Sequence, residues 1–217
     1  MSEKIWRNVD AYIGETLVQP DEALEQALHD SRAAGLPPIA VSAAQGKQLY
    51  LTALSIGARR ILEVGTLGGY SSIWMARALP ADGQLISLEI DPKHAEVARG
   101  NIERAGLGSK VDVRVGPAID LLPKLEGPFD LSFIDADKES NAEYFAHALR
   151  LSRKGSVIIV DNVVREGKVI DPKGNAQVQG VRRMFDLIAS EPRVSATAIQ
   201  TVGDKGYDGY LLAVVTG

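Results

Sequence analysis

Ile61-Leu62-Glu63-Val64-Gly65-Thr66-Leu67-Gly68-Gly69 decides the fold: a short apolar run around one carboxylate that stops abruptly at glycines. Two further runs stop in the same manner. Leu131-Ser132-Phe133-Ile134 leads into Asp135-Ala136-Asp137-Lys138, and Val157-Ile158-Ile159-Val160 leads into Asp161-Asn162. Short runs rich in branched side chains, separated by helical patterns, read as buried strands of a parallel sheet. Such sheets bind ligands in the crevice outside the carboxyl ends of their strands. Three polar clusters at three strand ends therefore point to one site.

Outward from these runs, strands are expected near 60–64, 85–90, 111–115, 130–135 and 157–161. Ala142, Phe145, Ala146 and Leu149 repeat at i, i+3, i+4, i+7, as do Val181, Met184, Phe185 and Ile188; each set predicts an amphipathic helix. Two strand-like runs near 194–202 and 209–216, joined by Gly203-Asp-Lys-Gly206-Tyr207-Asp208, predict an antiparallel hairpin. Upstream, Ile5, Val9, Tyr12 and Ile13 share one helical face, and Gly35-Leu-Pro37-Pro38 breaks the chain before a helix carrying Leu49, Thr52, Ala53 and Ile56. The expected fold is α/β: a doubly wound, mostly parallel sheet with a C-terminal antiparallel hairpin, in one domain over 1–217, residues 1–40 being a helical extension. Residues 165–180 lack clear periodicity and read as a loop, either a lid or a plain surface excursion.

The 217 residues are 45% hydrophobic and 24% charged, with mean hydropathy −0.02, an ordinary globular composition. A net charge of −4 and a pI near 5.5 give no footprint for nucleic acid or an anionic membrane. Without cysteine, disulfides, thiolate metal sites and cysteine nucleophiles are excluded. No run approaches the ~18 apolar residues of a membrane span. A cytoplasmic protein handling a small molecule is expected, with neither nucleic acid nor membrane as partner.

Gly65, Gly68 and Gly69 lie between a strand and a helix beginning near Tyr70 and Ser71. Glycine admits close approach of a ligand, and the helix N-terminus offers N–H groups to an anion, although a strand-to-helix turn can need glycine for its own sake. The dinucleotide pattern G-x-G-x-x-G fails, because its second and third glycines would fall at Leu67 and Tyr70. That weakens a nicotinamide dehydrogenase as the alternative; a non-catalytic nucleotide-binding protein remains another. Glu89 ends the next strand, where a ribose diol is expected to bond bidentately. One carboxylate for a ribose without a second nucleotide site fits S-adenosylmethionine better than a dinucleotide.

At Glu63-Val-Gly-Thr, Gly69-Tyr-Ser71, Glu89-Ile-Asp91, Gly116-Pro-Ala118, Phe133-Ile-Asp-Ala-Asp-Lys138 and Asp161-Asn162 the chain resembles the class I methyltransferases. It is similar in particular to the cation-dependent O-methyltransferases that include the caffeoyl-CoA and catechol enzymes. The resemblance runs from about Pro38 to the C-terminus. It implies that Val41, Glu63, Gly65, Thr66 and Ser71 meet the amino-acid end of S-adenosylmethionine, that Glu89 holds the ribose, that Ala118 lies at the adenine, and that Asp137 also contacts the cofactor.

Asp135, Asp161 and Asn162 offer hard oxygen donors that suit Mg²⁺ first, or Mn²⁺ or Ca²⁺, rather than zinc. Asp and Asn also end strands merely to cap helices or form turns; the resemblance assigns all three as metal ligands. Lys138, three residues past Asp135, can point into the same cavity, where a dication and partial desolvation favour the neutral amine. The implied reaction is direct methyl transfer to a hydroxyl of a catechol-type aromatic diol, with Lys138 accepting the proton. His29, His94 and His147 fall in helical segments away from strand ends and receive no catalytic role. Asp208 reads as a turn-forming residue. Relatives of this kind are usually dimers, and Trp6 or the other apolar residues of the N-terminal helices are candidates for a homodimer interface.

Overall fold

The computed structural model describes residues 3–19 and 21–217. Helix α1 (Glu3–Ile13) runs into a π-type turn at Gly14–Val18, followed by α2 (Glu22–Ala33) and α3 (Ala43–Ser55). Asp21 and Ser42 start the latter two by accepting the N–H of Leu24 and Gln45. Strands and helices then alternate: β1 (Arg60–Val64), α4 (Tyr70–Arg77), β2 (Gln84–Glu89), α5 (Pro92–Arg104), β3 (Val111–Val115), the short α6 (Ala118–Leu121), β4 (Phe129–Ile134), α7 (Asn141–Arg150), β5 (Ser152–Asp161), α8 (Ala176–Ala189), β6 (Val194–Gly203) and β7 (Gly206–Val215).

The seven strands form one sheet in the order β3-β2-β1-β4-β5-β7-β6. The first five are parallel, β7 runs antiparallel to β5, and β6 closes the hairpin at the edge. The strand order reverses between β1 and β4, so the crevice for a ligand opens where Gly65 and Asp135 emerge. Alternation along β1 assigns its residues to opposite faces. Ile61 joins the layer of Leu49, Ile73, Leu85 and Phe133 beneath α2 to α5, whereas Leu62 and Val64 join Phe145, Ile158, Val181 and Met184 beneath α7 and α8. Glu63 therefore points, as a carboxylate, into the first of these layers.

Two expectations need correction. The aperiodic segment ends at Asn175, not 180: Asn175 accepts the N–H of Val178, and α8 starts at Ala176. Its first turn carries a single inward apolar side chain, the buried Val178, too little to register as a period. Strand β5 also begins at Ser152 rather than 157, because its first half (Ser-Arg-Lys-Gly-Ser) is polar and lacks the apolar signature. Helix α1 buries none of its side chains; Ile5, Val9 and Tyr12 are exposed.

Candidate active site

The Gly65 turn is built by exclusion. Gly65 has φ 97°, and a Cβ there would lie 2.1 Å from the Asp135 carbonyl oxygen, so the ends of β1 and β4 approach as closely as they do only because this residue is glycine. Gly69, at φ 81°, precedes α4 without a capping side chain, leaving the first N–H groups of that helix open to an anionic group.

Beneath the turn, Glu63 is fully buried. Ser71 Oγ donates to it at 2.5 Å, Ser87 Oγ at 2.6 Å, and Ser72 donates as well. Burial pushes the Glu63 carboxyl up to about 7, with these hydroxyls pulling the other way and the nearby Asp135 charge adding to the rise. Thr66 is tied in through Ser87, hydroxyl to hydroxyl at 2.5 Å. Ser72 and Ser87 were not among the expected site residues. Ser87 carried a signal, being a hydroxyl two residues from Glu89 in an apolar strand and in register with Glu63.

Glu89 pins the same turn from β2. Its Oε2 accepts the backbone N–H of Thr66 at 3.1 Å and of Leu67 at 2.8 Å, and its Oε1 accepts that of Asp91 at 2.9 Å. Asp91 in turn caps α5, with Pro92 in the first turn. The placement of His94 corrects the sequence reading: it stands in the first turn of α5 with Nδ1 3.6 Å from Glu89 Oε1, beside a strand end rather than away from one.

At the other end, Lys138 is buried and its Nζ donates to Asp135 Oδ1 at 2.8 Å. Asp161, also buried, is pushed up to about 7 by desolvation and then by the charge of Asp135, while Lys138 and the Gln45 side chain favour its ionised form. Asn162 follows at φ 56°, its N–H bonded to Asp161 Oδ1 at 2.8 Å. Gln45, from the first turn of α3, was invisible in the sequence: one amide among small residues carries no signal. Among the described residues no third carboxylate, imidazole or thiol joins the two aspartates. Two crowded carboxylates with one carboxamide alongside fit a hard dication, which would offset the repulsion that raises Asp161.

Asp137 turns its carboxylate to α7, accepting from the Tyr144 and Ser140 hydroxyls; burial and then this bond push the Tyr144 phenol above its usual range. Val41 is buried just ahead of α3, and Ala118 is half-buried at the start of α6 beyond β3. His29 and His147 lie in α2 and α7, as expected. Asp208 accepts the backbone N–H of Val164, Arg165 and Gly209, so it fastens the segment after Asn162 to β7.

An O-methyltransferase family profile matches residues 15–212. A catechol O-methyltransferase of Mycobacterium tuberculosis strain H37Rv is 54% identical over 209 residues, covering 96% of this chain and 95% of the relative. An O-methyltransferase from Bacillus cereus solved with S-adenosylhomocysteine superposes with TM-score 0.97 at 54% identity, over 99% of this chain and all of that one. One from Streptomyces achromogenes involved in tomaymycin synthesis, solved with S-adenosylmethionine, has TM-score 0.97 at 51% identity over the whole of both chains. With its doubly wound sheet and its carboxylates gathered at the switch point, the chain belongs to the O-methyltransferase family.

Proposed function

We propose that this O-methyltransferase takes its methyl group from S-adenosylmethionine and, with a divalent cation, transfers it to one hydroxyl of a small catechol-type aromatic. The observation that carries the reading is the contiguity of two polar groups: Gly65, which opens the cofactor turn, abuts the backbone of Asp135, whose carboxylate holds Lys138. Methyl donor and acceptor would thus meet over one pair of strand ends. The solved relatives with S-adenosylmethionine or its product support the donor, and the relative named for catechol supports the acceptor.

In this reading Ser71 and the open N-terminus of α4 receive the amino-acid end of the donor, with Val41, Gly65 and Thr66 around it. Glu63 positions Ser71 from below. Glu89 takes the ribose, Ala118 flanks the adenine, and Asp137 borders the cofactor. A cation held by Asp135, Asp161 and Asn162, with Mg²⁺ the best suited and Mn²⁺ or Ca²⁺ the alternatives, supplies Lewis acidity that makes a phenol easier to ionise. Asp135 orients Lys138, whose amine form accepts the phenolic proton. The buried surroundings of Lys138 and Asp161 keep water from competing, so most of the catalysis is positioning and electrostatics.

The single domain, its cytoplasmic setting and its pairing as a homodimer belong to the same reading. No helix of the described residues is long and apolar enough to cross a membrane. A groove of about 630 Å³ between the π-type turn and α3, lined by Ile13, Leu17, Val18 and Leu51, together with exposed Val9 and Tyr12, gives a second copy an apolar face to cover.

Asp161→Ala tests the cation assignment. Methyl transfer should fall by at least about 10³-fold, while calorimetric binding of S-adenosylhomocysteine is retained. Wild-type turnover in the variant would refute the metal reading.

A further inference from the structure

Helix α5 turns an apolar stripe inward, the buried Ala95, Ala98 and Ile102, and an amide interrupts it at Asn101, which is only 2% exposed. Burying an amide is costly unless its polar atoms find partners, and here both ends do. Nδ2 donates to the Gly68 carbonyl at 2.9 Å and, with a longer bond, to the Ala27 carbonyl at 3.3 Å. Oδ1 accepts from Arg104 Nη1 at 3.1 Å, and that nitrogen lies 2.6 Å from Asp30 Oδ2. One side chain of α5 therefore ties the turn between β1 and α4 to helix α2.

That turn needs outside support. Leu67 has φ 50°, a left-handed conformation that persists in a side-chain-bearing residue only where the surroundings hold it. Two glycines follow, and the peptide between them rotates easily unless both of its groups are engaged. The Gly69 N–H donates to the Thr66 carbonyl at 2.9 Å, while Asn101 holds the Gly68 carbonyl. Both helices close in behind the turn: a Cβ on Gly68 would lie 2.0 Å from Ser31 Oγ of α2, and one on Gly69 would lie 3.3 Å from Ala98 of α5. No side chain caps α4, so the aim of its first N–H groups depends on this peptide.

We infer that Asn101 is a positioning residue for S-adenosylmethionine, fixing the Gly68–Gly69 peptide from behind so that the N-terminus of α4 is set before the cofactor binds. This rests on the reading that the amino-acid end of the cofactor sits at that N-terminus. Without the Asn101 bond, the turn would be ordered at the expense of binding. The loss falls on affinity and not on the chemical step, because Asp135 and Lys138 follow β4 and make no contact with this amide. Helix α2, which precedes the sheet, supports the same seat through Ala27 and Ser31.

Asn101→Leu keeps the bulk and removes the donor; Asn101→Ala covers the case in which leucine prevents folding. Calorimetric titration with S-adenosylhomocysteine should find either variant weaker than wild type by about three- to tenfold, the worth of one neutral hydrogen bond. With a simple catechol as acceptor, KM for S-adenosylmethionine should rise by the same factor while kcat at saturation stays within about twofold, a split that loss of stability alone would not give. Amide exchange over residues 67–70 should be faster in the cofactor-free variant than in cofactor-free wild type, and the difference should vanish once S-adenosylhomocysteine is bound. Affinity and KM within about twofold of wild type in a folded variant, or a fall in kcat with KM unmoved, would overturn the role of Asn101 and leave the cofactor reading intact. Failure of wild type to bind S-adenosylhomocysteine would overturn both.

Discussion

A carboxylate as deeply buried as that of Glu63 is expensive to ionise, and three serine hydroxyls offset only part of the cost. Its value of about 7, against an ordinary 4.5, means that the folded chain holds this proton more tightly than the unfolded one. The resulting stability is fully present below about 4.5 and is lost as pH rises through about 7. Protein free of metal and cofactor should therefore melt at progressively lower temperature from pH 5.5 to 8, with Glu63 contributing about 2 kcal/mol over that window. Glu63→Gln should make that slope shallower in a calorimetric series, leaving the part that Asp161, also pushed up to about 7, contributes in the same direction; an unchanged slope would remove Glu63 as a source. Gly65 makes a steric claim at the same scale. Gly65→Ala, with its Cβ driven into the Asp135 carbonyl at a positive φ, should cost at least about 2 kcal/mol in chemical denaturation. Tolerance of alanine would contradict the close approach of β1 and β4.

Among the elements, apolar runs showed where strands end, and hence Gly65, Asp135 and Asp161, because burial on both faces leaves a continuous apolar signature. What stayed hidden came from neighbours in space. Gln45 reaches Asp161 only because the first turn of α3 comes to the end of β5, and His94 meets Glu89 only because α5 starts within three residues of the strand end. Asp137 sits in the right motif, yet its carboxylate is drawn to α7 by Tyr144. The segment after Asn162 likewise takes its shape from a distant partner, Asp208 of β7, which accepts three backbone N–H groups. Asp208→Ala should leave S-adenosylhomocysteine affinity unchanged and speed amide exchange over residues 163–167 at least about tenfold, the loss of roughly one to three kcal/mol of bonding. Unaltered exchange there would show that the segment is held by other contacts. Gly180 of α8 plays a comparable part, since a Cβ would lie 2.0 Å from the Lys138 carbonyl.

For the whole molecule, the reversal of strand order between β1 and β4 brings the Gly65 turn and the carboxylates of Asp135 and Asp161 to one crevice. Family membership settles the choice against a nicotinamide dehydrogenase on the same fold. The proposed dimer face follows the groove along α3. Leu17→Glu with Tyr12→Glu should convert a dimer into a monomer in light scattering, because both side chains are about 70% exposed and lose little when the chain is alone; dimers surviving that pair would place the interface elsewhere. The central claim is cation-assisted methyl transfer to a vicinal aromatic diol. The most direct measurement is mass spectrometry of a simple catechol or caffeoyl acceptor after incubation with the protein, S-adenosylmethionine and Mg²⁺, with and without EDTA. Addition of one methyl group, abolished by EDTA and restored by excess Mg²⁺, is the predicted result. Methylation that proceeds unchanged in EDTA would contradict the role given to Asp135, Asp161 and Asn162, and an unmethylated diol would contradict the acceptor.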